Sequence, residues 1–237
     1  ILAAPRQCLL VAEPEPLDAF EARFVAALSP RPAASHQGFG RPALCEPSNQ
    51  LWTTGTQVNF CARAYPTVAM DHPDAAALAV LGGFLRNGFL HTAIREKGGA
   101  YGGGASQDST IGAFRFFSYR DPRLAETLAD FDRALDWLAG GDHAPRRVEE
   151  AILGVIASLD KPGSPAGEAK QTFHAELYGR DRTCRERFRN RVLAVTLADL
   201  QRVADTWLRA ERASTAVITA ADRTAQLDGL GLTVHAL

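Results

Sequence analysis

The longest helical pattern in the chain follows Asp71-His72-Pro73, which is a favourable helix start. Apolar residues then recur at helical spacing through Phe89, and the pattern predicts a helix that continues to about Lys97. Gly98-Gly99 follows, and glycine tolerates the left-handed conformation that ends many helices. The same periodicity predicts further helices over residues 16–28, 122–140, 145–159, 168–178, 182–193 and 196–207.

Strands are predicted where apolar runs are short or alternate with polar residues. In residues 57–63, Val58, Phe60 and Ala62 alternate with Asn59 and Cys61, which indicates a strand with one side buried. An apolar run over residues 7–12 predicts a buried strand, and four prolines between residues 29 and 48 predict a loop. Further strands are predicted over residues 101–107, 111–119 and 213–219, the first two forming a hairpin that turns at 108–110.

This order of elements favours an α+β fold, a two-layer domain in which helices pack on a mainly antiparallel sheet. The hairpin and the blocks of consecutive helices carry this prediction. A doubly wound parallel fold is the weaker alternative, because strands and helices do not strictly alternate. We expect residues 1–50 to form a lead-in strand, helix and loop, and residues 51–237 to form the main domain, either separately or as one domain.

Composition excludes several classes of function. Hydrophobic residues make up 46% of the chain, charged residues make up 22%, and the net charge is -1. These values are typical of a globular protein and give no basis for a nucleic-acid or anionic-membrane partner. Apolar stretches are interrupted before they reach the ~18 residues of a membrane span. The chain begins at Ile1 without a secretory signal, so we expect a fragment of a longer polypeptide, with removal of a leader as the alternative.

The histidines do not have the spacing of a catalytic zinc site. Such a site usually takes two histidines one turn apart on a helix, with a nearby carboxylate as base. The six histidines are all more than five residues apart, and neither H-x-x-E-H nor H-E-x-x-H occurs. We therefore expect this chain to bind no catalytic zinc, although a site assembled from distant residues stays an alternative.

The cysteines indicate a reducing compartment. No C-x-x-C motif occurs, so we expect no disulfides, and Cys61 lies in an apolar strand where a buried thiol is expected. Arginine greatly outnumbers lysine, which favours a bacterial source with a GC-rich genome, and with the reducing compartment we expect a bacterial cytoplasmic protein. The four cysteines are Cys8, Cys45, Cys61 and Cys184.

A dense glycine cluster joins the long helix to the hairpin. Glycines within a strand indicate a bulge or the close approach of another backbone. Arg95 precedes the glycine turn and Tyr101 follows it, and two such donors aimed at one carbonyl oxygen stabilise a developing oxyanion. The residues alone leave open that Arg95 pairs with Glu96 or with a helix-terminal carbonyl, and that Tyr101 is half-buried. A phosphate cradle in a stand-alone anion-binding domain is a weaker alternative, because the glycines follow a helix.

Two motifs in this region resemble a known family. They are R-x-x-G-G-A-Y-G at residues 95–102 and F-x-S-Y-R-D-P at residues 116–122. Together with the surrounding pattern over residues 57–138, they resemble the C-terminal part of the pitrilysin/insulinase (M16) zinc metallopeptidases, most closely the presequence protease branch. The resemblance implies a metalloendopeptidase that degrades unfolded peptides, with Zn2+ and an H-x-x-E-H motif in the N-terminal half of the same polypeptide.

The resemblance also implies roles for particular residues. Arg95 and Tyr101 would be catalytic, contacting the substrate carbonyl in the transition state, and Phe114 and Phe116 would help to line a chamber. Related folds also serve as non-catalytic structural or assembly subunits, and this alternative stays open. The positions that would bind substrate are Gly98, Gly99, Gly102 and Gly103.

A run of arginines between residues 180 and 191 is the one concentration of charge. At helical spacing these side chains spread around the helix, which favours a solvated surface. A site for an acidic peptide or a partner half is the weaker alternative.

Overall fold

A computed structural model describes residues 7–28 and 46–237. The α-helices are α1 (Pro14–Leu28), α2 (Ala75–Leu85), α3 (Ala125–Gly140), α4 (Pro145–Leu159), α5 (Pro165–Leu177), α6 (Arg182–Leu193) and α7 (Leu197–Trp207). A π-helical segment, π1 (Arg86–Lys97), continues α2, and short 3-10 helices lie at Ala210–Arg212 and Ala221–Leu227. The strands are β1 (Asn49–Thr53), β2 (Asn59–Pro66), β3 (Gly102–Asp108), β4 (Ala113–Asp121), β5 (Ser214–Thr219) and β6 (Thr233–Ala236).

The six strands of the described residues form one sheet in the order β3-β4-β2-β5-β1-β6. Strands β3 and β4 form the predicted hairpin, and β2 lies antiparallel between β4 and β5. Strand β1 runs parallel to both β5 and β6, and neither β1 nor β6 was predicted. The predicted α+β fold with a mainly antiparallel sheet is confirmed.

One face of the sheet is buried under helices, and the opposite face is largely exposed. Phe114 and Phe116 of β4 are fully buried, whereas Arg115 and Tyr119 of the same strand are exposed. Alternate residues of a strand point to opposite faces, so the two phenylalanines belong to the core. The prediction that the two phenylalanines line a chamber is therefore wrong, and Arg115 and Tyr119 lie on the exposed face of the sheet.

Helix α2 and segment π1 form one continuous helix, of which α2 lies in the core and π1 buries only Leu90 and Ile94. This helix of 23 residues is long and apolar enough to cross a membrane by length and composition. However, Leu78, Leu81 and Leu85 are fully buried in the protein core. Such burial is typical of the central helix of a globular domain.

Two local predictions are wrong. Residues 7–12 form no strand, and Leu9 and Val11 are exposed, because a short apolar run does not specify a strand without a partner that covers it. The helix predicted over residues 122–140 begins only at Ala125, because Asp121 is the last residue of β4. Most of the predicted proline-rich loop, residues 29–45, lies outside the described residues, and so does Cys45.

The chain divides into two compact units. Leu44–Lys161 and Arg182–Leu237 form the larger unit, which contains the whole sheet, and Ile1–Ala43 and Pro162–Asp181 form the smaller one. In the smaller unit, α5 has no buried residue, and Ser164 caps this helix by accepting the N–H of Gly167. A domain boundary near residue 50 stays a prediction.

Candidate functional site

The glycine turn between π1 and β3 is closed by backbone hydrogen bonds. Gly99 adopts φ +77°, the left-handed conformation predicted for this helix end. The N–H groups of Gly99 and Ala100 donate to the carbonyls of Arg95 and Ile94 at 3.0 and 3.1 Å. The Gly98 N–H also donates to the Arg95 carbonyl. These N–H groups are used within the chain, so the turn is not a phosphate cradle.

Arg95 and Tyr101, the donor pair, lie at the two ends of this turn and are both accessible. Tyr101 is 63% exposed. The exposed side chain of Arg95 makes no hydrogen bond or ion pair with any described residue. Glu96 instead accepts from Thr92 at 2.8 Å and lies 3.4 Å from His91. The alternatives in which Arg95 is neutralised or Tyr101 is half-buried are therefore wrong.

No hydrogen bond or cation–π contact joins Arg95 to Tyr101 among the described residues. The Tyr101 ring instead contacts the end of β4. Its ring lies 5.7 Å from the ring of Tyr119. The guanidinium carbon of Arg120 lies 5.5 Å from the Tyr101 ring centre, and the Arg120 carbonyl accepts the Tyr101 N–H at 3.2 Å. Sequence reasoning missed Tyr119 and Arg120, although both belong to the F-x-S-Y-R-D-P motif.

A buried polar network fixes the end of β4. The fully buried Asp121 accepts the Arg123 N–H at 2.9 Å and the Thr127 hydroxyl at 2.8 Å. The Arg123 guanidinium donates to the Ala93 carbonyl of π1 at 3.1 Å and to Asp130 at 3.0 Å. This network links β4 to the last turns of π1, so the two segments that carry the site are held together.

Two of the predicted substrate-binding glycines are buried by side chains of the chain itself. Gly98 packs against the Arg123 guanidinium, and Gly102 lies beneath the Tyr119 ring, where a Cβ would be 2.5 Å from ring atoms. Glycine at these positions permits close packing, and their burial argues against direct contact with a substrate. Substrate contact stays a prediction for the two glycines with exposed surface, Gly99 and Gly103.

The site offers hydrogen-bond donors and positive charge. Within residues 7–28 and 46–237, no group of three His, Cys, Asp or Glu side chains could hold a metal ion. Cys61 is buried, as predicted, and burial raises the pKa of its thiol to about 12. A thiol of this kind is not a nucleophile at neutral pH. The donor pair offers hydrogen-bond donors from both side chains and a permanent positive charge from Arg95.

The arginine run is engaged in separate local contacts. Arg182 pairs with Glu186 at 2.7 Å, and Arg189 pairs with Asp160 at 2.8 Å. Arg191 donates to a backbone carbonyl just before α2. These contacts agree with the predicted surface role.

Solved structures show the class of protein to which this fold belongs. A protease from Helicobacter pylori superposes with a TM-score of 0.69 and 17% identity, covering 88% of this chain and 53% of that chain. A peptidase M16 inactive domain from Pseudomonas fluorescens gives 0.65 and 18%, covering 88% and 51%. Pitrilysin gives 0.62 and 16%, covering 93% and 24%. The fold is that of an M16 peptidase domain.

Sequence similarity then identifies the family. The profile of the PreP C-terminal domain matches residues 49–222, and the chain belongs to this family. Mitochondrial presequence protease from Xenopus laevis is 40% identical over 153 residues, covering 65% of this chain and 14% of the relative. The Kluyveromyces lactis protein is 36% identical over 163 residues, covering 68% and 16%.

The similarity confirms the resemblance to the presequence protease branch. It also shows that the chain corresponds to only part of such a protein. The chain spans about one sixth or less of the length of these relatives. Both relatives are eukaryotic mitochondrial proteins, which gives no support to the expected bacterial origin.

Proposed function

We propose that this chain is the zinc-free C-terminal part of a zinc metalloendopeptidase that degrades unfolded peptides, and that the donor pair holds the peptide at the bond to be cleaved. The observation that carries the proposal is the donor pair itself. Arg95 has no acidic partner among the described residues, Tyr101 is 63% exposed, and both flank a turn closed by hydrogen bonds. Membership of the PreP C-terminal domain family supports this assignment.

The chemistry of the donor pair suits a peptide carbonyl. Arg95 contributes a permanent charge on a planar fork of donors, and Tyr101 contributes an O–H on a stiff ring. Donors that are already in place cost no reorganisation when negative charge develops on the carbonyl oxygen. Exclusion of water by an enclosing half would strengthen both interactions, because the effective dielectric constant falls.

Zinc belongs to a different part of the proposed enzyme. The resemblance to the M16 metallopeptidases implies that zinc lies in the N-terminal half of the same polypeptide, and we propose this placement here. This chain contributes peptide binding and orientation. The location of the protein in a reducing compartment stays a prediction.

The test is Tyr101→Phe in the full-length protein, with Tyr178→Phe as the matched control. Both tyrosines are similarly exposed, at 63% and 61%, and Tyr178 belongs to the smaller unit. Removal of one oxyanion donor should lower kcat/KM for peptide hydrolysis by about 100-fold while zinc content stays unchanged. The control should keep its activity. Unchanged kinetics of Tyr101→Phe would rule out the proposed role.

A non-catalytic structural subunit is the second candidate, because one domain with this fold is described as an inactive M16 domain. The two proposals differ in the N-terminal half. An intact H-x-x-E-H motif and one bound zinc per full-length protein support the enzyme. A degenerate motif without bound zinc supports the structural subunit.

A further inference from the structure

Strand β4 contains a bulge beside the donor pair. Asn59 pairs with Asp121, but Cys61 pairs with Ser118, so the register shifts between these two pairs. Two residues of β4, Tyr119 and Arg120, therefore oppose the single residue between Asn59 and Cys61 on β2. Bulges bend a strand and redirect its side chains, and they are over-represented next to active sites.

Arg120 occupies the strained position of this bulge. Its φ is +49°, and it is the one non-glycine residue with positive φ in the described part of the chain. Glycine is the usual residue in a left-handed bulge position, because a Cβ crowds the following carbonyl there. The buried network that begins at Asp121 holds the backbone in this conformation. An arginine is thus kept where glycine would be less strained, and strain of this kind clusters at functional sites.

Both the backbone and the side chain of Arg120 contact Tyr101. The Arg120 carbonyl accepts the Tyr101 N–H at 3.2 Å, which holds the start of β3. The guanidinium carbon lies 5.5 Å from the Tyr101 ring centre, a distance at which the cation is attracted to the ring face. Arg120 is exposed and has no ion-pair partner among the described residues, so no carboxylate competes for this contact.

We propose that Arg120 is a positioning residue that fixes the direction of the Tyr101 phenol through the strained bulge. This inference rests on the proposed function, because it acts through Tyr101. A glycine at 120 keeps the bulge and its backbone hydrogen bond but removes the guanidinium from the ring. The fold is then retained, and only the orientation of the phenol is released.

The experiment uses the full-length protein and a double-mutant cycle of Arg120→Gly and Tyr101→Phe. Arg120→Gly should lower kcat/KM for peptide hydrolysis about 10-fold to 100-fold, because a misdirected donor loses its catalytic contribution. In the Tyr101→Phe background no hydroxyl remains to be positioned, so Arg120→Gly should change kcat/KM by less than about twofold. Arg115→Ala is the control, since Arg115 is an exposed arginine of β4 that pairs with Asp108, and its activity should not change.

Amide hydrogen exchange over residues 99–123 of the same proteins separates positioning from a structural role. Protection in Arg120→Gly should equal that of the parent protein or exceed it. Faster exchange that parallels the loss of activity would overturn the proposal, and so would equal losses in both backgrounds of the cycle. If Tyr101→Phe lowers turnover and Arg120→Gly does not, the positioning role alone fails. If Tyr101→Phe leaves turnover unchanged, the proposed function fails and the positioning role fails with it.

Discussion

Gly82 and Gly83 are neighbours in α2, and we expect alanine at these two positions to change stability in opposite directions. A Cβ at Gly83 would lie 3.9 Å from its nearest neighbours in Ala151, which is ordinary van der Waals contact. A Cβ at Gly82 would lie 2.9 Å from the Cα of Ser106 and 3.2 Å from the Ala105 carbonyl oxygen. These are backbone atoms of β3, which cannot rotate away as a side chain would.

The expected changes in the free energy of unfolding combine two effects, the helix propensity of alanine in both variants and overpacking in Gly82→Ala alone. Alanine in place of glycine within a helix stabilises it by about 1 kcal/mol, and both variants have this gain. Overpacking costs about 1–3 kcal/mol, and we expect the upper part of this range for Gly82→Ala because a hydrogen-bonded strand must shift. Gly83→Ala should therefore be about 1 kcal/mol more stable than the parent, and Gly82→Ala about 1–2 kcal/mol less stable.

Equilibrium unfolding in urea, followed by tryptophan fluorescence, measures both effects. The urea dependence of the free energy should be the same in all three proteins, so that midpoints report stability directly. The result that refutes the reasoning is a shift of both variants in the same direction by similar amounts. That outcome would mean that α2 and β3 are not in the close contact that the glycines permit.

Two further predictions concern α7. Thr196 and Asp199 form a capping box at the start of α7, so Thr196→Ala should lower the free energy of unfolding by about 1 kcal/mol, whereas Thr206→Ala on the exposed side of the same helix should change it little. Asp74 accepts from Trp207 at 2.9 Å and pairs with Arg202 at 2.8 Å; although burial opposes the charge, these hydrogen bonds lower the pKa of Asp74. Because the pKa of Asp74 is lower in the folded protein than in the unfolded chain, its carboxylate stabilises the fold at pH values above the unfolded-state pKa of about 3.9. This stabilisation is lost as the pH falls through the folded-state pKa. Asp74→Asn should therefore destabilise by about 1–2 kcal/mol at pH 7 and by much less near pH 2, and an equal loss at both values would contradict this account.

Local patterns were sufficient to predict the helices and the hairpin, but not the parallel part of the sheet. Strand β1 has one buried apolar residue, Leu51, and its paired positions lie 166 residues away in β5 and 183 residues away in β6. Such pairing leaves no local signal. In β2 the buried side carries Asn59 rather than Phe60, because the Asn59 amide donates to the Arg123 carbonyl at 3.0 Å and accepts from Thr219 at 2.7 Å. Hydrophobicity alone does not predict a buried amide whose hydrogen bonds are satisfied.

The candidate site shows a similar division. Arg95 and Tyr101 were identified through a resemblance, and residue chemistry alone left their role open. Tyr119 and Arg120 were missed because their position depends on a bulge, which is a difference in register between two strands. A register difference is a property of the pair of strands and cannot be read from one of them.

The position of β1 between β5 and β6 has a consequence for synthesis of the protein on the ribosome. Translation at about 5–20 residues per second separates β1 from β5 by roughly 10–30 s, since 166 residues lie between paired positions. During this interval both edges of β1 lack their partners, and its backbone groups are open to pairing with another chain. Residues 49–53 are therefore a point at which the nascent chain is open to aggregation, and a chaperone that covers this segment would protect completion of the sheet.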